Sequence, residues 1–401
     1  MKNNWQINKL GEVCDIINGS TPLRSNKEFW SNGDVAWFTV DDIREQGRII
    51  QYTKQKITKK ALGKTSARLL PPESVLLCCT ASVGEHAITK ISLTTNQQFN
   101  GLVIKDKKYL DPVFLFYFSS TLKDQLLRLS GKTTIDFVPI SRLKEIEIPV
   151  PPLAEQKRIV GILDEVFKNI QKVRENTEKN LQNAKELFES YSRDVFLSAQ
   201  KNSDVKKIGE MCDLATGGTP SRSKKEYFIN GKIRWLVSGD IHKKEIFDCE
   251  GRITDDGLEN SNARYLPINS VMIALNGQGK TRGTVAILRI KATCNQSLVS
   301  IYPKNLELII PEYIYCNLNS RYDELRKITG DAGNERRGLN MPLIRSIKIP
   351  VPKLVEQKAI VKKLDELSAN IKKLEENYRQ KLLGLDELKK SVLKSAFSGE
   401  L

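Results

Sequence analysis

Residues 10–43 read LGEVCDIINGSTPLRSNKEFWSNGDVAWFTVDDI, and residues 208–241 read IGEMCDLATGGTPSRSKKEYFINGKIRWLVSGDI. The two stretches align without a gap at an offset of 198, pairing Gly11 with Gly209, Cys14 with Cys212, Thr21-Pro22 with Thr219-Pro220 and Trp37 with Trp235. The correspondence continues outward. Asn96-Gln97 meets Asn295-Gln296 at offset 199, and Ile148-Pro149-Val150-Pro151 meets Ile349-Pro350-Val351-Pro352 at offset 201. Leu153-Ala154-Glu155-Gln156-Lys157 and Leu354-Val355-Glu356-Gln357-Lys358 follow directly. A repeat of about 200 residues is too long for a solenoid unit, so a whole module has been duplicated.

Each module has two parts. The first mixes short β-branched or aromatic runs with Gly, Pro and Asn punctuation. Strands are expected at 35–40, 74–79, 233–237 and 270–275, and helices at 110–130 and 310–329, which makes a mixed α/β (α+β) domain. After the prolines at 149–151 and 350–352, glycine and proline nearly vanish and seam positions, apolar on the flanks and polar at the centre, recur every three and four residues. The first run gives Ile159, Leu163, Val166, Ile170, Val173, Thr177, Asn180, Ala184, Leu187 and Tyr191. The second gives Ile360, Leu364, Leu367, Ile371, Leu374, Tyr378, Lys381, Leu385, Leu388 and Val392. That spacing is a coiled-coil seam. The expected organisation is a globular domain at 1–151, a long helix at 152–201, a second globular domain at 202–351 and a second long helix at 352–401. Because the second helix starts where the second domain ends, mutual burial of the two seams requires an antiparallel intramolecular coiled coil, with the domains related by a pseudo-twofold.

Composition narrows the function. The 401 residues carry 64 Lys and Arg against 48 Asp and Glu, a net charge of +16. By region the balance is +6 for 1–151, zero for 152–200, +7 for 201–351 and +3 for 352–401. The excess therefore lies on the two globular parts, as expected for two readers of a polyanion whose strands are themselves antiparallel. No apolar run approaches the ~20 residues of a membrane helix. The N-terminus does not read as a signal peptide, and seven cysteines without CxxC spacing favour a reducing, cytoplasmic setting over disulfides or zinc.

Catalytic patterns are missing. The two histidines, His86 and His242, lack metal spacing, and His86 aligns with Val285. Gly277-Gln278-Gly279-Lys280-Thr281 is a near miss for a phosphate-binding loop, since its first glycine would fall at Ala274 and the matching Thr80–Gly84 stretch has no lysine. No adenine-methylation motif and no glycine fingerprint for a nucleotide cofactor is present. The expectation is a protein with no catalytic and no metal site of its own.

The order of motifs (domain, Ile-Pro-Val-Pro, Leu-x-Glu-Gln and long helix, twice over), with Gly-Gly-Thr-Pro-Ser-Arg-Ser at 217–223 and Ser238-Gly239-Asp240-Ile241, resembles the specificity (S) subunit of type I restriction–modification systems along essentially the whole chain. The resemblance implies two target-recognition domains, each reading half of a split, asymmetric double-stranded DNA site. It implies helices that set the spacer and bind two modification subunits, which methylate adenine with S-adenosylmethionine. Restriction subunits that use ATP and Mg2+ complete the assembly, and the S subunit binds no cofactor itself. A subunit serving only a methylation or orphan complex, or a structural coiled-coil spacer, are the alternative readings.

Candidate DNA-facing residues are polar or basic loop positions. They are Arg24, Lys27, Asn96, Gln97, Gln98, Lys132 and Thr133 in the first domain, and Arg222, Lys224, Lys225, Asn276, Gln278, Lys280, Arg282, Arg336 and Arg337 in the second. Positions shared by both copies cannot distinguish two half-sites, so phosphate clamping or loop structure is expected of them. Gln278, Lys280, Arg336 and Arg337 differ between copies and suit base readout. Glu155, Gln156, Glu356 and Gln357 open the long helices, where an acidic residue suits the helix dipole; the resemblance adds docking of the modification subunit.

Overall fold

The computed structural model describes residues 4–130, 136–277, 279–328 and 338–401, and the chain divides into two units. The first comprises Met1–Thr177 with Arg379–Leu401, and the second Glu178–Tyr378.

In the first unit, residues with β-branched and aromatic side chains build β1 (Gln6–Lys9), β2 (Cys14–Asn18), β3 (Val35–Phe38), β4 (Ile49–Ile50), β5 (Gln55–Ile57), β6 (Val75–Cys78), β7 (His86–Thr89), β8 (Thr94–Thr95), β9 (Phe99–Ile104) and β10 (Glu147–Val150). They form a five-stranded sheet in the order β2-β9-β6-β7-β4, a three-stranded sheet β5-β3-β8 and the pair β1-β10. Strands β6 and β7 are buried along their whole length, and β6 (Val-Leu-Leu-Cys) accordingly reads as a continuous apolar run, while β7 carries His86 and Thr89 at its ends.

The second unit repeats this plan with β11 (Asp204–Lys207), β12 (Cys212–Thr216), β13 (Ile233–Leu236), β14 (Glu245–Ile246), β15 (Arg252–Ile253), β16 (Val271–Ala274), β17 (Val285–Leu288), β18 (Thr293–Cys294), β19 (Leu298–Pro303) and β20 (Lys348–Val351). The orders β12-β19-β16-β17-β14, β15-β13-β18 and β11-β20 match strand for strand. A mixed α/β fold present twice is thus what the duplicated sequence specifies.

Two expectations need correction. Strand 35–40 stops at Phe38, because Thr39 opens a helix, Val40–Gln46, with the Asp42 carboxylate accepting from the Thr39 N–H at 2.8 Å. The expected single helices 110–130 and 310–329 are each two: Pro112–Ser119 with Lys123–Leu129, and Pro311–Ser320 with Tyr322–Ile328. At these breaks the hydroxyls of Ser119, Thr121 and Ser320 donate back to the carbonyls of Leu115, Phe118 and Asn317, each at 2.8 Å, and so compete with the helical ladder.

The long helices are Leu153–Asn202 and Leu354–Ser398. Within the first unit, the start of one packs with the end of the other. Ile159, Leu163, Leu393 and Ala396 join the apolar core of the sheet domain, Arg174 pairs with Asp386, and the Lys389 ammonium lies 5.0 Å from the Phe167 ring centre. Within the second unit the order is reversed, with Phe196 and Leu364 in the core and Lys363 5.3 Å from the Tyr191 ring. The two helices run antiparallel in each unit.

The expected seam drifts along both helices. Ile159, Leu163, Ile170, Thr177, Ala184, Leu364 and Leu385 are buried, whereas Leu187 is 62% and Leu388 47% exposed, and Asn180, Leu374 and Lys381 face outward. Leu181, Phe188 and Leu382 lie on the covered side instead. A helix turns every 3.6 residues, so without supercoiling a strict 3.5-residue register slips off the buried face and a second step of four restores it.

Gln156 and Gln357 fasten each helix to its domain. Fully buried, the Gln156 carboxamide accepts from the Asp111 N–H and donates to the Tyr109 and Pro151 carbonyls, all at 2.8 Å. Gln357 accepts from the Ile310 N–H at 3.1 Å and donates to Leu308 and Pro352 at 2.8 and 2.9 Å. Docking by these two side chains is therefore corrected, since their amide groups are spent inside the fold. Glu155 instead binds Arg158 at 2.7 Å, and Glu356 is exposed.

Candidate nucleic-acid interface

The sequence motifs common to both copies turn out to be loop carpentry. Trp37 and Trp235 are buried, and their indole N–H groups donate to the carbonyls of Ser20 and Gly218 at 3.0 and 2.9 Å. Thr21 and Thr219 donate to the side chains of Gln97 and Gln296. Asn96 is 9% exposed, accepts from the Gln98 N–H at 3.1 Å and donates to the Gln98 side chain at 3.0 Å. Asn295 accepts likewise from the Ser297 N–H at 3.0 Å. Asn96 is thereby removed from the DNA-facing set: its burial and local bonds make it a turn residue.

Around these turns lie the basic candidates. Arg24 is exposed yet ordered. Its guanidinium sits 3.8 Å from the Trp30 ring centre and 4.6 Å from Trp37, and Nη1 donates to Gln55 at 2.7 Å. Such stacking leaves the remaining N–H groups preset for an anion or a base edge. The aligned Arg222 is exposed on a loop where Phe228 replaces Trp30. Lys224 donates to the Tyr227 hydroxyl at 3.0 Å, an interaction that raises its pKa, while Lys27 and Lys225 are solvent-facing.

The connection after the central strand separates the domains most. Between β6 and β7 it spans seven residues (79–85), and between β16 and β17 ten (275–284). The longer loop exposes Asn276 and Lys280, with Arg282 half-buried. Gly277 (φ +143°) and Gly279 (φ +67°) take conformations that side-chain-bearing residues rarely adopt, which explains both glycines. The loop joins antiparallel strands rather than a strand to a helix, and its Gly279 and Lys280 carbonyls accept from Arg326 and from the Tyr322 hydroxyl. The phosphate-loop resemblance is therefore accidental. Lys132, Thr133, Gln278, Arg336 and Arg337 lie outside the described residues.

Among the described residues no group of His, Cys, Asp and Glu could hold a metal ion, and no helix is long and apolar enough to cross a membrane. Burial pushes the thiols of Cys14, Cys212, Cys294 and Cys316 up to about 12, away from nucleophilic use. His86 is driven down to about 3, first by burial and then by the Arg48 guanidinium, so it stays neutral.

Comparison with known proteins fits this arrangement. The family model for the type I restriction modification DNA specificity domain matches residues 2–182 and again 200–383. The specificity subunit of type I restriction enzyme MjaIX from Methanocaldococcus jannaschii is 27% identical over 339 residues, covering 80% of this chain and 77% of that protein. That of EcoprrI from Escherichia coli is 37% identical over 164 residues, 39% of this chain and 40% of that protein. In fold, a chain from a study of complex assembly and conformational transition of the type I R-M system superposes with TM-score 0.78 at 19% identity, covering 100% of this chain and 99% of that one. The HsdS subunit from Thermoanaerobacter tengcongensis superposes at 0.64 with 18% identity, covering 100% and 98%. The chain belongs to the type I restriction–modification DNA specificity domain family. It is a DNA-recognition subunit of that class.

Proposed function

We propose that each globular domain reads one half of a bipartite, asymmetric DNA site and that the paired long helices set the unread spacer. The observation carrying this reading is the duplicated scaffold with divergent loops: Trp37/Trp235 and Gln156/Gln357 are held alike, while the loops after β6 and β16 differ in length and charge. Arg24, Lys27, Arg222, Lys224 and Lys225 neutralise phosphates, each such contact steepening the salt dependence of log K by about 0.9. Asn276, Lys280 and Arg282 offer donors to base edges, where a good bidentate pair discriminates by about 1–3 kcal/mol.

Two modification subunits join through the exposed helix faces and methylate adenine with S-adenosylmethionine after extruding it from the stack. Restriction subunits using ATP and Mg2+ complete the assembly. The chain itself catalyses nothing, holds no cofactor and works in the cytoplasm beside the DNA. Methylation mapping of DNA from cells expressing this chain with a modification subunit tests the proposal. A two-part adenine-methylated motif with a fixed gap is expected, and a contiguous motif or no modification would refute it.

A further inference from the structure

Three positions beside the post-central-strand loop change together between the two copies. In the first domain Arg44, Lys123 and Leu127 border an open cleft of about 400 Å³, also lined by Val40, Ile43 and Ser82. Offsets of 198 and 199 place His242, Tyr322 and Arg326 at the same three positions in the second domain. All three reach the longer loop. The Tyr322 hydroxyl donates to the Lys280 carbonyl at 2.7 Å, Arg326 donates to the Gly279 carbonyl and, at 3.1 Å, to the Tyr322 oxygen, and His242 Nε2 is hydrogen-bonded to the Thr281 hydroxyl at 3.2 Å. The Thr284 hydroxyl adds a second bond to the Lys280 carbonyl at 2.8 Å.

The extra three residues would otherwise form a glycine-rich loop with high conformational entropy, which binding would have to remove. We infer that His242, Tyr322 and Arg326 are positioning residues that hold residues 279–281 as a preformed DNA-reading element of the second domain, with Lys280 turned outward. The first domain, with a shorter loop and an open cleft, has no need of them. Because the Tyr322 hydroxyl and Arg326 Nη1 are both bound to loop carbonyls, these two side chains act through the loop. This inference rests on the proposal that the second domain reads its own half-site.

The test uses the full chain with its modification subunit, as Tyr322→Phe/Arg326→Lys and, separately, Arg326→Lys alone, which keeps the charge but replaces the planar group whose Nη1 holds the Gly279 carbonyl. Without DNA, amide exchange at residues 279–284 should rise about ten-fold while residues 79–85 stay unchanged. Methylation mapping should show base preference relaxed by about ten-fold in one half-site only. Unchanged exchange in a folded variant, or equal relaxation in both halves, overturns the inference. Should the double variant lose its cooperative melt, Arg326→Lys alone decides by the same two readouts. A wild-type chain yielding no two-part motif would instead refute the half-site proposal, and the exchange result would still report on the braces.

Discussion

The two sheet domains share one strand plan and differ in the loops around the ends of their central strands. Both place a buried tryptophan under a Thr-Pro turn, both hang their helix on a buried glutamine, and both order their strands identically. They part at the loop after β6 or β16, at the three positions bordering it, and at Arg24, which is stacked on indole rings while Arg222 has a phenylalanine where Trp30 stands. Duplication has preserved what holds the fold and released what faces outward, which is what the proposed reading of two half-sites requires.

That comparison can be broken in several places. The largest effect falls on the shared part: Gln156→Ala and Gln357→Ala each orphan three main-chain groups, costing about 3 kcal/mol or more in urea unfolding. The two losses should be similar, and a large inequality would end the equivalence of the copies. Phe188→Ala should cost about 2–3 kcal/mol, against less than about 0.5 for the neighbouring Leu187→Ala, which would confirm the shifted seam.

Acid should separate the domains. His86 is buried beside Arg48, and Val285 replaces it in the second copy. Because its folded pKa of about 3 lies below the ordinary 6.5, the unfolded state binds the extra proton, and stability present above pH 6.5 is lost as pH falls toward 3. At pH 5 the first unit should be weaker by about 2 kcal/mol, and His86→Val should remove that slope. Three of the four tryptophans, Trp5, Trp30 and Trp37, lie in the first unit, so fluorescence reports mainly on it. The smallest effect concerns Arg24. Trp30→Ala should weaken DNA binding by about 0.5–1 kcal/mol through the unstacked guanidinium, while Phe228→Ala should leave binding nearly unchanged.

How legible was this in the sequence? The duplication, the central strands and the long helices follow from repeats and periodicity, which report whole faces. The split of 110–130 was hidden because Ser119 and Thr121 break a helix only when their hydroxyls turn inward. The seam slipped at Leu187 because heptad counting assumes a supercoil. The role of Gln156 is not legible locally, because an Asp-Pro turn 45 residues away supplies its partner and no nearby pattern announces that bond. His242, Tyr322 and Arg326 escaped notice singly; their alignment with Arg44, Lys123 and Leu127 was the available signal.

The central claim is that the two domains read separately. Replacing residues 1–151 with the matching domain of a relative of different specificity, followed by methylation mapping, tests it most directly. The account predicts a new motif in which one half has changed while the other half and the gap are retained. Alteration of both halves together, or an unchanged motif, would contradict it.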